Sequence, residues 1–211
     1  MILVKVLAVQ YLSAVTPELS KALGTDAPCL GLITTDSDDP TYIALDQATK
    51  DAQVKVSYGR SFYAGAGNAS TPYAGEVIGI LAGPTPGAVH SGMESVLNEL
   101  QRVGFEEVKG VPVLAHTVSR CGSFLAKEAG VKEGTPLAYL IAPPLESMYA
   151  MDAALKAADV KLCKLYTPPT ETNFGGGLLS GTQSACAAAC AAFRDAVAEV
   201  ADRPSKERQN G

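Results

Sequence analysis

Hydrophobic and polar positions divide the chain into short blocks. Residues 1–12 predict a strand, and Thr16-Pro17 predicts the opening of a short helix, with Thr as N-cap and Pro at the first helical position. The run CLGLITT at 29–35 predicts a buried strand. Asp39-Pro40 predicts the cap of a helix reaching about Gln53. Two further strands, VKVSYG and EVIGILAG, flank a long glycine-rich loop, RSFYAGAGNASTPYAG. Thr85-Pro86 opens a longer helix, on which Val89, Met93, Val96, Leu97, Leu100 and Val103 share one face at helical spacing.

The second half repeats this order. VPVLAHTV predicts its first strand, SFLAKEAG its short helix and LAYLIA its next strand. A helix at about 148–158 precedes the strand KLCKLY, and a second long loop, TPPTETNFGGGLLSG, leads into the helix TQSACAAACAAFRDAVAEV. The strand due between that loop and that helix is weakly marked. Letters repeat as well as patterns. YIALDQATKDAQVKV from Tyr42 aligns with SMYAMDAALKAADVKLC from Ser147 when Asp46 is set on Asp152, an offset of 152 − 46 = 106. The same offset sets Ala48 on Ala154, Lys50 on Lys156, Val54 on Val160, and Gly75 on Gly181 at the ends of the two loops. In a chain of 211 residues this predicts two tandem domains, 1–106 and 107–211, each an α+β fold of ferredoxin-like type.

Composition narrows the function. With 47% hydrophobic and 18% charged residues the chain is not a disordered one. Net charge is −5, and the only basic cluster surrounds Lys206 and Arg208, which argues against a nucleic-acid partner. Apolar runs are too short and interrupted for a membrane span. Lys5 breaks the N-terminal run MILVKVLAVQYLSAV, which reads as a strand rather than a signal peptide. Five cysteines, odd in number and without CxxC spacing, fit a reducing cytoplasm.

Few residues carry candidate chemistry. TDSDDPTY places Asp36, Asp38 and Asp39 within four residues. Such a cluster reads either as helix capping, where negative charge is favoured, or as a cation site, where a bound ammonium relieves carboxylate repulsion. His90 and His116 stand alone and read as structural or surface residues. Cys186 and Cys190, at i and i+4 of a helix, read as small buried apolar side chains. GAGNAS and GPTPG lack the residues of a phosphate loop, and no nucleophile–base pair emerges. No enzyme is expected. The long loops, with glycines at 65, 67, 175, 176 and 177, read as surface or functional loops able to change backbone conformation.

LGLITTDSDDPTYIALDQATK, YGRSFYAGA, AGEV, AYLIAPPLE, DAALKAADVKL and PPTETNF together resemble the tandem-domain shell proteins of ethanolamine-utilisation bacterial microcompartments, over nearly the whole chain. The resemblance implies that each half is a microcompartment shell domain in circularly permuted strand order. It implies a homotrimer that mimics a hexamer and tiles with other shell proteins into a sheet around ethanolamine-degrading enzymes. It implies a gated central pore at the threefold axis, lined by Tyr63, Gly65, Gly67, Asn68, Thr172, Asn173, Phe174, Gly175, Gly176 and Gly177. It also implies small acidic pores that bind ethanolamine through Asp38, Asp39 and Glu76. In the second half PPLESMY keeps only Glu146, and at the offset of 106 Thr182 takes the place of Glu76. No metal or cofactor is expected, although the pathway's cobalamin-dependent ammonia-lyase leaves room for a cobalamin ligand at the central pore. The chain is thus read as a non-enzymatic shell and pore protein of the microcompartment in the cytoplasm. The alternative is a cytoplasmic tandem ferredoxin-like small-molecule sensor.

Overall fold

Strand β2 organises the N-terminal part of the chain. A computed structural model describes residues 1–62, 76–168 and 174–204. β1 (Val6–Leu12), β2 (Cys29–Thr35), β4 (Glu76–Gly83) and β3 (Lys55–Phe62) form an antiparallel sheet in the order β1-β2-β4-β3. Helices α2 (Asp38–Asp51) and α3 (Pro86–Glu99) bury their apolar stripes against it, with Ile33, Leu45, Leu81, Met93 and Val96 in one core. Gly79 allows α2 its close approach, since a Cβ there would lie 2.6 Å from Leu45 Cδ1. A smaller cluster gathers Leu30, Ile80 and Ala82 with Leu23, which caps the end of α1 (Pro17–Ala22). The expected caps hold: Thr16 Oγ1 accepts from Leu19 N–H, and Thr85 Oγ1 from Ala88 N–H.

The chain separates into two compact units. One is Leu3–Gly104 with Cys121–Gly134, and the other is Met1–Ile2 with Phe105–Arg120 and Thr135–Gly211. The division at Gly104/Phe105 lies beside the expected boundary at 106. Segment 121–134, which carries α4 (Ser123–Ala129), belongs to the N-terminal unit. There α4 packs on α2, and its first turn is capped from outside. The Asp46 carboxylate accepts from Gly122 N–H at 2.6 Å and Leu125 N–H at 2.8 Å, while Thr49 Oγ1 accepts from Ser123 N–H. Asp46 is fully buried. Burial pushes its carboxyl up, against the pull of these amides and of Lys50.

In the C-terminal unit the order is β5-β6-β7-β9-β8, from β5 (Glu106–Val108), β6 (Val111–Val118), β7 (Leu137–Ala142), β9 (Gly175–Gly181) and β8 (Val160–Tyr166). Helices α5 (Pro144–Ala157) and α6 (Gln183–Asp202) enclose a core of Leu140, Met151, Leu179, Phe193 and Val197. Cys186 and Cys190 are buried in it, as expected, and burial pushes both thiols up.

One loop needs correcting. Gly175, Gly176 and Gly177 are not loop residues: they open β9, paired with β7 on one side and β8 on the other. Packing demands glycine there. Gly176 has φ +144, and a Cβ would strike the Leu140 carbonyl; at Gly177 it would strike the Lys164 carbonyl. Register also corrects the repeat. The register shifts that skip Ser57 in β3 and Cys163 in β8 are 106 residues apart (163 − 57). The glycines that close β4 and β9 are 98 apart (181 − 83). The segment between the paired strands is therefore eight residues shorter in the second half (106 − 98). Gly181 corresponds to Gly83 rather than Gly75, and Phe174 rather than Thr182 corresponds to Glu76 (174 − 76 = 98).

Candidate functional site

Ser37 leaves β2 in an extended conformation (φ −148, ψ 119), and α2 begins at Asp38. Asp39 therefore stands inside the first turn rather than at the cap, and the Asp39-Pro40 capping reading is corrected. Pro40 is tolerated because the first N–H groups of a helix have no helical acceptor. Thr41 hydroxyl donates to the Ser37 carbonyl at 2.7 Å and fixes the turn. Ser37 makes no side-chain cap bond. Its Oγ is buried and has no hydrogen-bond partner among the described residues.

Both aspartates are buried. Asp38 Oδ1 accepts the Asp39 N–H at 2.8 Å. Burial, and then the neighbouring Asp39 charge, hold the Asp38 carboxyl well above the usual carboxylate range, against hydrogen bonds from backbone N–H groups and the Ser61 side chain. Burial also raises the Tyr42 hydroxyl, which hydrogen-bonds Ser61 as well.

Sheet order brings the third carboxylate to the same end. β4 lies between β2 and β3, so Val77 faces Thr35 on one side and Ser61 on the other, and Glu76 pairs with Phe62. Glu76 is buried and stands at the strand end from which the turn into Asp38 and Asp39 departs. The pairing of Thr35 with Val77 thus sets Glu76 at the end of β4 that lies alongside the exit of β2 towards SDDP, far from it in sequence. Ser37, Tyr42 and Ser61 were not singled out from the sequence. Ser37 and Tyr42 lay inside the quoted SDDPTY, and Ser61 is the last inward position of β3 before the long loop.

Among the described residues the second half offers no such cluster. Pro144 and Leu145 stand where Asp38 and Asp39 stand (144 − 38 = 106), and Phe174 replaces Glu76. The Phe174 ring meets Phe105 edge-on at 5.8 Å. Of the other expected pore residues, Tyr63, Gly65, Gly67, Asn68, Thr172 and Asn173 lie outside the described residues. His90 stacks on Tyr11 at the surface, with ring centroids 3.9 Å apart. Among the described residues no group of three His, Cys, Asp or Glu could hold a metal ion, and no helix is long and apolar enough to cross a membrane.

A shell protein of Clostridium perfringens, "Bacterial microcompartment shell protein EutL", is 58% identical over 205 residues, 94% of each chain. Its Escherichia coli counterpart is 51% identical over 179 residues, 83% of this chain and 82% of that one. The chain belongs to the EutL family of bacterial microcompartment shell proteins. The crystal structure of ethanolamine utilization protein EutL from Leptotrichia buccalis superposes with a TM-score of 0.91, at 53% identity and 96% coverage of both chains. Residues 29–117 match the BMC domain. That match begins at β2 and ends in β6, which lies 106 residues after β1. A shell domain read in unpermuted order thus takes β6 at its end where this chain has β1 at its start, and the fold is circularly permuted. Membership of the EutL family makes the chain a microcompartment shell protein and gives the sensor reading no support.

Proposed function

We propose that the chain is a non-catalytic wall and passage of an ethanolamine-utilisation microcompartment, and that its acidic site binds ethanolamine through Asp38, Asp39 and Glu76. The single observation that carries the ligand reading is a buried pair of adjacent aspartates next to Ser37, whose buried Oγ has no partner among the described residues, near the strand end that carries Glu76. An alkylammonium alcohol suits this set. Its cation offsets the carboxylate repulsion, and its hydroxyl offers a partner to a buried serine. Ser37 holds the cap position, and Asp38 and Asp39 stand in the first turn of α2, where negative charge is also favoured, so the amide variants below separate a binding role from a helix-end one.

In this reading residues 1–106 and 107–211 are the two duplicated shell domains. Three copies supply six lobes, with segments 63–75 and 167–174 towards a central pore. The gate excludes Gly175–Gly177, which the sheet holds. The assembly tiles with other shell proteins around the ethanolamine-degrading enzymes. A cobalamin ligand, for which the resemblance left room, gains no support from the described residues. Titration calorimetry tests the ligand: ethanolamine binds with a Kd around the millimolar range, since a ligand of few atoms buries little surface. Glu76→Gln and Asp38→Asn lose that heat while sedimenting like the parent. Equal binding by the amide variants refutes the site. Sedimentation at three times the chain mass of 21.8 kDa tests the trimer, and a monomer at all concentrations refutes it.

A further inference from the structure

Three consecutive polar side chains turn away from water where β2 gives way to α2. Asp38 is 4% exposed and Asp39 is 7% exposed. Ser37 before them is 6% exposed, and its Oγ has no partner among the described residues. A buried hydroxyl without a partner costs free energy that a ligand's hydroxyl would recover. Two adjacent buried carboxyls cost more if both are ionised, and that cost is relieved by a cation or by a proton.

Among the described residues, the surroundings of Asp38 supply hydrogen bonds but no cation. On α2, the Asp39 N–H donates to Asp38 Oδ1 at 2.8 Å, and burial keeps the Tyr42 phenol protonated. On β3, the Ser61 side chain hydrogen-bonds Asp38, while Arg60 next to it points to the other face of the sheet by strand alternation. At the end of β4 stands Glu76, a further acid. At the exit of β2 stands Asp36, whose Oδ1 accepts the Lys5 backbone N–H. From α4 comes the uncharged Phe124 ring, 5.9 Å from that of Tyr42. Burial, and then the Asp39 charge, accordingly raise the Asp38 carboxyl.

We infer that Asp38 holds a proton while the site is empty and releases it to solvent when the ammonium of ethanolamine enters, so that binding exchanges one cation for another. The assignment rests on the ethanolamine reading and adds the response of that site to pH. The exchange balances. The Asp38 O–H bond breaks, its electron pair stays on the carboxylate, and the proton passes to the buffer. The ammonium keeps its own N–H bonds and takes over the compensating charge. The net charge buried at the site is the same before and after, which spares the protein an uncompensated carboxylate in either state. Protons and ligand compete, so affinity rises with pH. A shell wall built this way loads on its more alkaline side and unloads on its more acidic one.

Titration calorimetry of the parent protein with ethanolamine, run at pH 6 in two buffers of different ionisation enthalpy, tests this. The expected result is a heat that differs between the buffers by the release of about one proton per ligand, and a Kd that falls by up to about tenfold per pH unit between pH 6 and 8, a range in which ethanolamine stays an ammonium. Infrared spectra locate the proton: the protonated-carboxyl band that the parent loses on addition of ethanolamine is already missing from empty Asp38→Asn. Equal heats in both buffers with a Kd that does not change with pH overturn the exchange and leave the ethanolamine site standing. A band that persists in Asp38→Asn overturns the assignment to Asp38. No binding at any pH overturns the exchange and the site together.

Discussion

Replacing Asp46 by Ala removes a cap that one helix supplies to another. The parent carboxylate is fully buried and accepts Gly122 N–H at 2.6 Å and Leu125 N–H at 2.8 Å. Hydrogen bonds to a charged group contribute about 1.5–3 kcal/mol each, so the pair is worth roughly 3–6 kcal/mol. Against this, the variant no longer buries a carboxylate whose ionised form is penalised by burial. A net loss of about 3 kcal/mol follows. For a chain of this length that lowers Tm by roughly 6–12 °C, at 2–4 °C per kcal/mol. Thermal denaturation followed by circular dichroism at pH 7 reads the loss, and amide exchange should show α4 opening first. Asp152→Ala is the internal reference. That residue sits at the equivalent place but is exposed with Lys156, so its removal costs at most about 0.5 kcal/mol. The reasoning fails if Asp46→Ala and Asp152→Ala melt together, or if Asp46→Ala loses less than about 1 kcal/mol.

Other outcomes follow from single features. The Asp38 carboxyl is raised above its unfolded value of about 3.9, so its contribution is present below that pH and is lost as pH rises through the folded value. Asp38→Asn should therefore melt higher than the parent at pH 7, the gap closing near pH 4; a parent more stable at neutral pH contradicts this. Gly176→Ala forces a Cβ into the Leu140 carbonyl at φ +144 and should cost more than about 3 kcal/mol in a denaturant titration. Thr85→Ala removes the cap of α3 and should cost about 1 kcal/mol by the same assay.

What was legible depended on side chains that mark their surroundings. β2, β4, β6 and β7 carry dense apolar runs, and their bounds follow the sequence blocks CLGLITT, EVIGILAG, VPVLAHTV and LAYLIA. β9 was not legible, because its first three residues are glycines that serve the sheet by having no side chain. The offset of 106 carried through α1/α4, α2/α5 and β3/β8 but not into β9 and α6, since eight fewer residues precede β9 and Gly75 and Gly181 stand 106 apart by coincidence. The transfer of α4 to the N-terminal unit was illegible for another reason. Its signal is a buried Asp46 and a bare Gly122, and neither announces its partner in one dimension. The residue pattern showed the aspartates of TDSDDPTY and the resemblance added Glu76 to the proposed site, while Ser37, Tyr42 and Ser61 became visible beside them only when β4 was placed between β2 and β3.

A crystal structure of the assembled protein grown with ethanolamine tests the central claim most directly. The account predicts three copies about a threefold axis, and the ligand nitrogen within hydrogen-bond distance of Asp38, Asp39 and Glu76 in each copy. A neighbouring chain filling that pocket, or ethanolamine bound only elsewhere, contradicts it.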